Sequence, residues 1–310
     1  MYDTDVYYIT VCIVARFMMM RTILPGLPIP HPALIFTRAE RDQAVIFEPT
    51  CAPLLRPLID TATLQSWHTP IGDRWLLALP PGYSQRYAIT GIADLITRHP
   101  GLGHRLRAYT SELASMWWEL PPEATAAVTA PTPRVLIGVG ERPPIAWDTG
   151  QTVAVTPIRI IAPADHLTLA LLSASAGRKR LKQETGVIAL PTPPTATAGR
   201  LAELAAQAVA MTHEQQTVSR EFARRLLADF GPPGSTLSPA LQRWWELEFR
   251  ELLAEVTSAL QNPIPEPFQP FWAARHAEGR ARYYALAGEI AAIEAAIDEL
   301  ANPVWQTREQ

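Results

Sequence analysis

Residues 134–194 constrain the fold of this chain most, because apolar runs and chain breakers alternate through them at close spacing. Residues 134–139 form a β-branched apolar run and predict a strand. Gly150 breaks the chain before a second short strand at residues 152–155, and a third, residues 158–161, follows Pro157. Asp165 stands where its carboxylate can take an orphan backbone N–H and N-cap a helix over residues 166–176. That helix runs directly into Arg178, Lys179, Arg180 and Lys182. An apolar strand at residues 187–190 returns and stops at Pro191.

The flanks extend this pattern. Residues 33–37 (ALIFT) read as a strand and residues 38–47 as a helix; residues 51–59 continue with apolar Leu54, Leu55, Leu58 and Ile59. Residues 75–79 read as a strand, closed by a Pro80-Pro81-Gly82 loop. Residues 92–116 suit a pair of helices interrupted at His99-Pro100-Gly101. Leu102, Leu106, Tyr109 and Leu113 lie on one face of the second, which ends at Trp117-Trp118. A Thr/Ala/Pro loop covers residues 121–133.

After a linker at residues 191–199 the chain becomes helical, with candidates at residues 200–211 and 218–230. Ser238-Pro239 is a helix start, an N-cap serine followed by proline at the first position. Leu241, Trp245, Phe249, Leu252, Val256 and Leu260 then line one face. Residues 271–300 form the last helix, where Leu286, Ile290, Ile293, Ile297 and Leu300 make a seam of about two heptads, the length of a short helical pair rather than a free coiled coil. Residues 6–20 are apolar but contain Arg16; they are too short to span a bilayer and lack a basic leader, so they read as a leader of unassigned role or a buried strand.

Charge is unevenly spread. The net charge is −3, which argues against a generally basic nucleic-acid binder, yet residues 1–200 carry 18 Lys+Arg against 15 Asp+Glu and residues 201–310 carry 9 against 15. A surface that meets DNA is therefore expected in the first two-thirds. Lys179 and Lys182 are the only lysines, and arginine's planar fork suits phosphates and guanine edges, although a GC-rich coding bias gives the same composition. Thirty prolines, about twice average usage, imply long stiff loops. Cys12 and Cys51 are the only cysteines, which fits a reducing cytoplasm and suggests neither a disulfide framework nor a metal site.

The order of these pieces resembles the target-recognition region of type IIG restriction–modification enzymes, including the TaqI-like C-terminal specificity domain of adenine-N6 DNA methyltransferases. Pro133-Arg134-Val135-Leu136-Ile137 and Arg142-Pro143-Pro144-Ile145-Ala146-Trp147-Asp148, followed by Gly150, resemble one phrase of that family. Leu169-Ala170-Leu171-Leu172-Ser173 resembles a second, without its usual asparagine, and Ala189-Leu190-Pro191-Thr192-Pro193 a third. Residues 33–42, Arg56-Pro57-Leu58, Trp67, residues 72–77, 245–252 and 290–300 also fit. A basic family step is replaced by Asp60-Thr61-Ala62-Thr63-Leu64, Pro121 stands where a basic residue is expected, and the terminal tyrosine signature is replaced by Asn302-Pro303-Val304-Trp305. Residues 1–24 lie outside the resemblance, as if a longer ancestor had been cut there.

Such methyltransferases need a catalytic turn of the Asn/Asp-Pro-Pro-Tyr form to hold a flipped adenine. Leu79-Pro80-Pro81-Gly82-Tyr83 lacks the leading amide or acid and carries an extra glycine. Gly138-Val139-Gly140 follows a strand, but Pro143-Pro144 blocks the helix a nucleotide loop would open. An acid–lysine nuclease centre is missing, His99 and His104 have no third ligand at metal spacing, and Ser173 and Ser175 have no nucleophile turn around them. No catalytic residue and no metal ligand is expected.

The resemblance implies an α+β fold: a leader at residues 1–24, a mixed-sheet target-recognition domain at 25–198 and an all-α helical domain at 199–310. It implies recognition of double-stranded DNA beside a methyltransferase, or methyltransferase–nuclease, polypeptide that carries S-adenosylmethionine; no cofactor is expected on this chain. Arg178, Lys179, Arg180 and Lys182 are the expected phosphate contacts, unless they are simply a solvated helix end. Arg98-His99 with His104-Arg105 and Arg107 form a second basic cluster, in which Arg105 and Arg107 are expected phosphate contacts, and Tyr83, Arg86 and Tyr87 form the expected base-reading loop. The rival expectation is a decayed fragment or a protein-interaction module that docks a methyltransferase without reading DNA.

Overall fold

The computed structural model describes residues 18–109, 118–120, 122, 132–232 and 235–306. The fold is α+β with a helical C-terminal region. Two compact units are distinct: one runs up to Ala205 and takes back the chain from Ile297, and the other is Ala206–Ala296.

The strands of the first unit are β1 (Met18–Thr22), β2 (Leu24–Pro25), β3 (Ile35–Thr37), β4 (Leu55–Ile59), β5 (Trp67–His68), β6 (Arg74–Leu77), β7 (Arg134–Ile137), β8 (Ile145–Asp148), β9 (Val153–Ala154), β10 (Arg159–Ile161) and β11 (Val187–Pro191). They make a five-stranded sheet in the order β2-β10-β7-β8-β5, a four-stranded sheet β3-β6-β4-β9 and the pair β1-β11. The end of the presumed leader is thus a strand: Met18 to Thr22 pairs antiparallel with Pro191 to Val187. Residues 1–17 of that segment, Leu113, Trp117 and most of the 121–133 loop lie outside the described residues.

Strand β8 was visible in the sequence only as part of a motif. Three of its four residues are buried and Trp147 is half-buried, so no period-2 alternation marks it. It forms a hairpin with β7, in register from Ile137↔Ile145 to Arg134↔Asp148.

The helices of this unit begin with α1 (Arg38–Phe47), α2 (Tyr83–Tyr87), α3 (Ile92–Arg98) and α4 (Gly103–Leu106). α1 starts at a capping box, Thr37 Oγ1 accepting from Glu40 N at 3.3 Å and Glu40 Oε2 accepting from Thr37 N at 2.8 Å. Next come α5 (His166–Ser173) and α6 (Ser175–Leu181). Asp165 does cap α5, its carboxylate accepting from Thr168 N at 2.7 Å.

The single helix expected over residues 166–176 is broken: Ala174 is extended, with φ −60° and ψ 151°. Tertiary partners make the break. Asp298 accepts from Ser175 N at 2.6 Å, Asn302 accepts from Ser175 Oγ at 3.1 Å, and a Cβ on Gly177 would lie 2.0 Å from Leu171 O, so only glycine lets the two helices turn so tightly. Trp305, in the segment where the family signature is replaced, is buried and donates from its indole to Leu171 O at 3.2 Å.

Beyond β11 the chain continues as α7 (Thr195–Phe230), α8 (Pro239–Gln242), α9 (Phe249–Leu260) and α10 (Gln269–Gln306). One 36-residue helix replaces the two expected after the linker, and it begins inside the linker itself. The polar stretch that suggested a gap is helical, with Thr212 and Gln216 buried.

Ser238 caps α8 as expected, but that helix ends after four residues, and a 3-10 turn at Trp244–Glu246 interrupts the face running from Leu241 to Leu260. The turn makes Trp244 the fully buried tryptophan, while Trp245 is half-buried and stacks on Tyr283 at 4.2 Å. The core of the second unit gathers Phe222, Leu226, Phe230, Trp244, Leu252, Val256, Leu260 and Trp272.

Candidate nucleic-acid interface

The basic cluster lies on α6 and just beyond it, and its four cations differ in what they touch. Arg178 is turned inward: Nε donates to Ser173 O at 2.8 Å and Nη1 to Pro143 O at 2.5 Å. Arg180 ion-pairs with Glu184 at 3.3 Å and reaches Gln183. Lys179 and Lys182 are exposed.

Arg178 therefore joins α6 to the β7–β8 hairpin loop. The loop is stiff. Gly138 N donates to Pro144 O at 2.8 Å, a Cβ on Gly138 would lie 2.7 Å from the Pro144 ring, Gly140 has φ +119°, and Pro143 is buried. What remains outside is the tip: Val139 is 51% exposed, and Glu141 and Arg142 are exposed. In the sequence Gly138-Val139-Gly140 and Arg142 stand out for other reasons, and this tip is not marked as a DNA contact, because its link to the basic cluster is a contact between residues far apart in the chain.

A buried ion pair supports the other end of the hairpin. Arg134, fully buried, donates from Nε to Asp148 Oδ2 at 2.7 Å, and Thr152 Oγ1 donates to the same oxygen at 2.9 Å. Arg134 also donates to Thr152 O. Arg56 reaches the carbonyls of Gly150, Gln151 and, at 3.3 Å, Thr152. Burial, then the like charge of Arg134, lowers the Arg56 pKa. Asp148 and Gly150, part of the motif that carried the family resemblance, thus work together to hold the 148–152 loop.

The expected base-reading loop is the helical turn α2, and its three residues part company. Tyr83 is buried, its hydroxyl 2.6 Å from His99 Nε2, while Arg86 is exposed and Tyr87 is 38% exposed. His99 Nδ1 donates to Glu48 Oε1 at 2.7 Å, and Gly101 N donates to Glu48 Oε2 at 2.9 Å. Burial alone would raise the Glu48 pKa; the bonds from His99, Gly101 and Thr50 outweigh it, and the carboxyl lies below its ordinary value. Glu119 accepts from Gly82 N at 2.7 Å and Ser84 N at 2.5 Å, and the same balance of burial against hydrogen bonds lowers its pKa.

Of the second basic cluster, Arg105 is held by Glu40 at 3.3 Å and by Pro32 O at 2.8 Å, and Arg107 is exposed. His104 is exposed, away from the buried pairing of His99. Among the described residues no group of three His, Cys, Asp or Glu side chains is placed to hold a metal ion, and no helix is long and apolar enough to cross a membrane.

Residues 194–301 match a family model described as a domain of unknown function, DUF8810. No curated protein matches the chain. Among solved structures, the chain is similar to the type IIL restriction-modification enzyme MmeI, solved in complex with DNA, with a TM-score of 0.44 and 14% identity over 93% of this chain and 36% of that one. The chain therefore spans about a third of the length of that enzyme.

Proposed function

We propose that this chain is the DNA-recognition part of a restriction–modification system of the adenine-N6 methyltransferase kind, working beside a polypeptide that binds S-adenosylmethionine and carries the catalytic turn. One observation supports this reading most: the Arg178–Pro143 bond ties the helix that carries two exposed lysines, Lys179 and Lys182 at its end, to a hairpin loop whose exposed tip presents Val139, Glu141 and Arg142. An element with cations suited to phosphates is thus joined to a loop with side chains suited to base edges. Arginine reads guanine, glutamate accepts from the cytosine amino group, and an apolar side chain meets the thymine methyl.

In this reading Lys179, Arg180 and Lys182 meet phosphates, and Arg178 fixes the hairpin against them. Each phosphate contact adds about −0.9 to the slope of log K against log salt. Changing Lys179, Arg180 and Lys182 together to alanine is expected to weaken binding to random and cognate duplexes alike and to flatten the slope by about 2 to 3. Arg142→Ala is expected to keep random-sequence binding and relax one position of the cognate site. The titrations are run with and without the partner methyltransferase. An unchanged slope in the triple variant on both duplexes would sink the reading.

The second reading is a module that docks a methyltransferase without touching DNA. It draws on Ile46 and Phe47, adjacent apolar residues 83% and 71% exposed at the end of α1. Co-purification with the methyltransferase and no shift of any duplex at low salt would favour it.

A further inference from the structure

Helix α2 is only five residues long, too short to hold itself together, yet it is fixed at three points. The Glu119 carboxylate holds the amides of Gly82 and Ser84, the Trp118 indole donates to Ser84 Oγ at 2.9 Å, and the Tyr83 hydroxyl bonds His99, which is bonded in turn to Glu48. The ionised Glu48 can only accept, so His99 Nδ1 donates to it, and His99 Nε2 lies within hydrogen-bond reach of the Tyr83 hydroxyl. The turn also ends on Ala88 at φ +52°, a left-handed conformation that alanine rarely adopts. Such investment in one turn calls for a reason outside the core.

The outer side of the turn supplies one. Tyr87 packs on Tyr83, with centroids 4.6 Å apart, and the guanidinium carbon of Arg98 lies 3.6 Å from the centroid of the Tyr87 ring. Arg98 thus lies over one face of the Tyr87 ring, which serves as a shelf for the guanidinium. Arg98 and Arg86 are exposed. Among the described residues neither has a carboxylate at ion-pair distance, whereas the neighbouring arginines Arg38, Arg41, Arg74 and Arg105 each do. A guanidinium stacked on a ring keeps its N–H edge available and gives up little freedom on binding.

We infer that Arg98, oriented by Tyr87 and assisted by Arg86, is a second backbone contact of this chain, gripping a phosphodiester of the duplex apart from the α6 cluster. The inference rests on the DNA-recognition reading above. Tyr83 and His99 are positioning residues in it: they aim the shelf and touch no ligand.

The test is a salt titration of the full chain on random and cognate duplexes, with the partner methyltransferase if binding requires it. Arg98→Ala is expected to flatten the slope of log K against log salt by about 1 on both duplexes. Tyr87→Leu, which leaves every charge in place, should lower affinity as Arg98→Ala does, and the double variant should be no worse than either single one. Arg98→Lys should restore the slope but not the full affinity. Thermal melts accompany each variant, and Arg86→Ala, at an exposed position, provides a second removal of charge that keeps the turn intact. If the wild type binds with a normal salt slope and neither Arg98→Ala nor Arg86→Ala changes it, this inference falls and the recognition reading stands. If the wild type binds no duplex, with or without its partner, both fall.

Discussion

Arg178 donates to the carbonyl oxygen of Pro143 at 2.5 Å, across 35 residues of chain, and to Ser173 O within its own helix pair. A cation that sequence pattern groups with its neighbours is thereby set apart from them. Bonds from a charged donor to buried carbonyls contribute about 1.5–3 kcal/mol each, and removing the donor leaves the acceptors unmet. Arg178→Ala is expected to lower unfolding stability in urea by about 2–4 kcal/mol, whereas Lys179→Ala at an exposed position should stay within about 0.5 kcal/mol. Equal effects from the two substitutions would mean that Arg178 does not brace the hairpin.

This pair also marks how far the sequence could be read. The Asp165 cap, the α1 helix, the Ser238 start and the basic run were legible because each depends on residues a few positions apart. The break at Ala174 was not: it depends on Asp298 and Asn302, more than a hundred residues away, and on the close approach of Gly177 to Leu171. Strand β8 was hidden by two-sided burial. The inward turn of Tyr83 was hidden because its partner His99 is paired in turn with Glu48, on a different element. Local chemistry is written in local sequence, but what a cation or a hydroxyl faces is set by topology.

The Arg134–Asp148 pair allows a sharper test of the hairpin's floor. Removing one member of a buried ion pair leaves an uncompensated charge and costs about 3–5 kcal/mol. Asp148→Ala should therefore be strongly destabilising, and more so because Thr152 Oγ1 loses its acceptor. Replacing both partners, as Arg134→Met with Asp148→Leu, is expected to recover most of that loss in denaturant unfolding. A double variant as unstable as Asp148→Ala would show that the pair is needed for loop geometry beyond its charge balance.

Ile293 tests the seam of α10. It is 8% exposed, while Ile290 and Leu300 on the same spacing are half-buried. Ile293→Asp puts a carboxylate among apolar side chains, and a loss of about 3 kcal/mol or more is expected in denaturant unfolding. Ile290→Asp, at a wetter position, should cost less. A variant at Ile293 that unfolds like the wild type would place that face of the helix in solvent.

His276 gives the second unit a predictable response to acid. The ring is 2% exposed, boxed by Phe222, Trp244 and Phe249 at centroid distances of 5.8 to 6.0 Å, with Nε2 3.3 Å from Trp244 O. Burial lowers its pKa; the hydrogen bonds to the Trp244 and Leu247 backbone and the charge of Glu248 oppose this without reversing it, and the charge of Arg280 adds to it. At pH 7 and above the folded ring is therefore uncharged, and Nε2, which faces the Trp244 carbonyl, is the nitrogen that donates. The unfolded chain takes up a second proton near the ordinary value of about 6.5, and the folded chain only at a lower pH. Below 6.5 the unfolded state binds more protons, so this group's stability contribution is fully present above pH 6.5, falls as the pH drops towards the folded pKa, and levels off beneath it. His276→Gln removes the titration and keeps a donor for Trp244 O; through lost packing it should be less stable than the wild type by about 1–3 kcal/mol at pH 8. As the pH falls from 7 to 5 that difference should shrink, because only the wild type carries the proton linkage. Other groups with lowered pKa values, His166, Glu48 and Glu119, titrate in both proteins and cancel in the difference. The measurement is denaturant unfolding of both proteins at each pH, and a difference that stays constant or grows on acidification would mean that His276 is protonated in the folded chain.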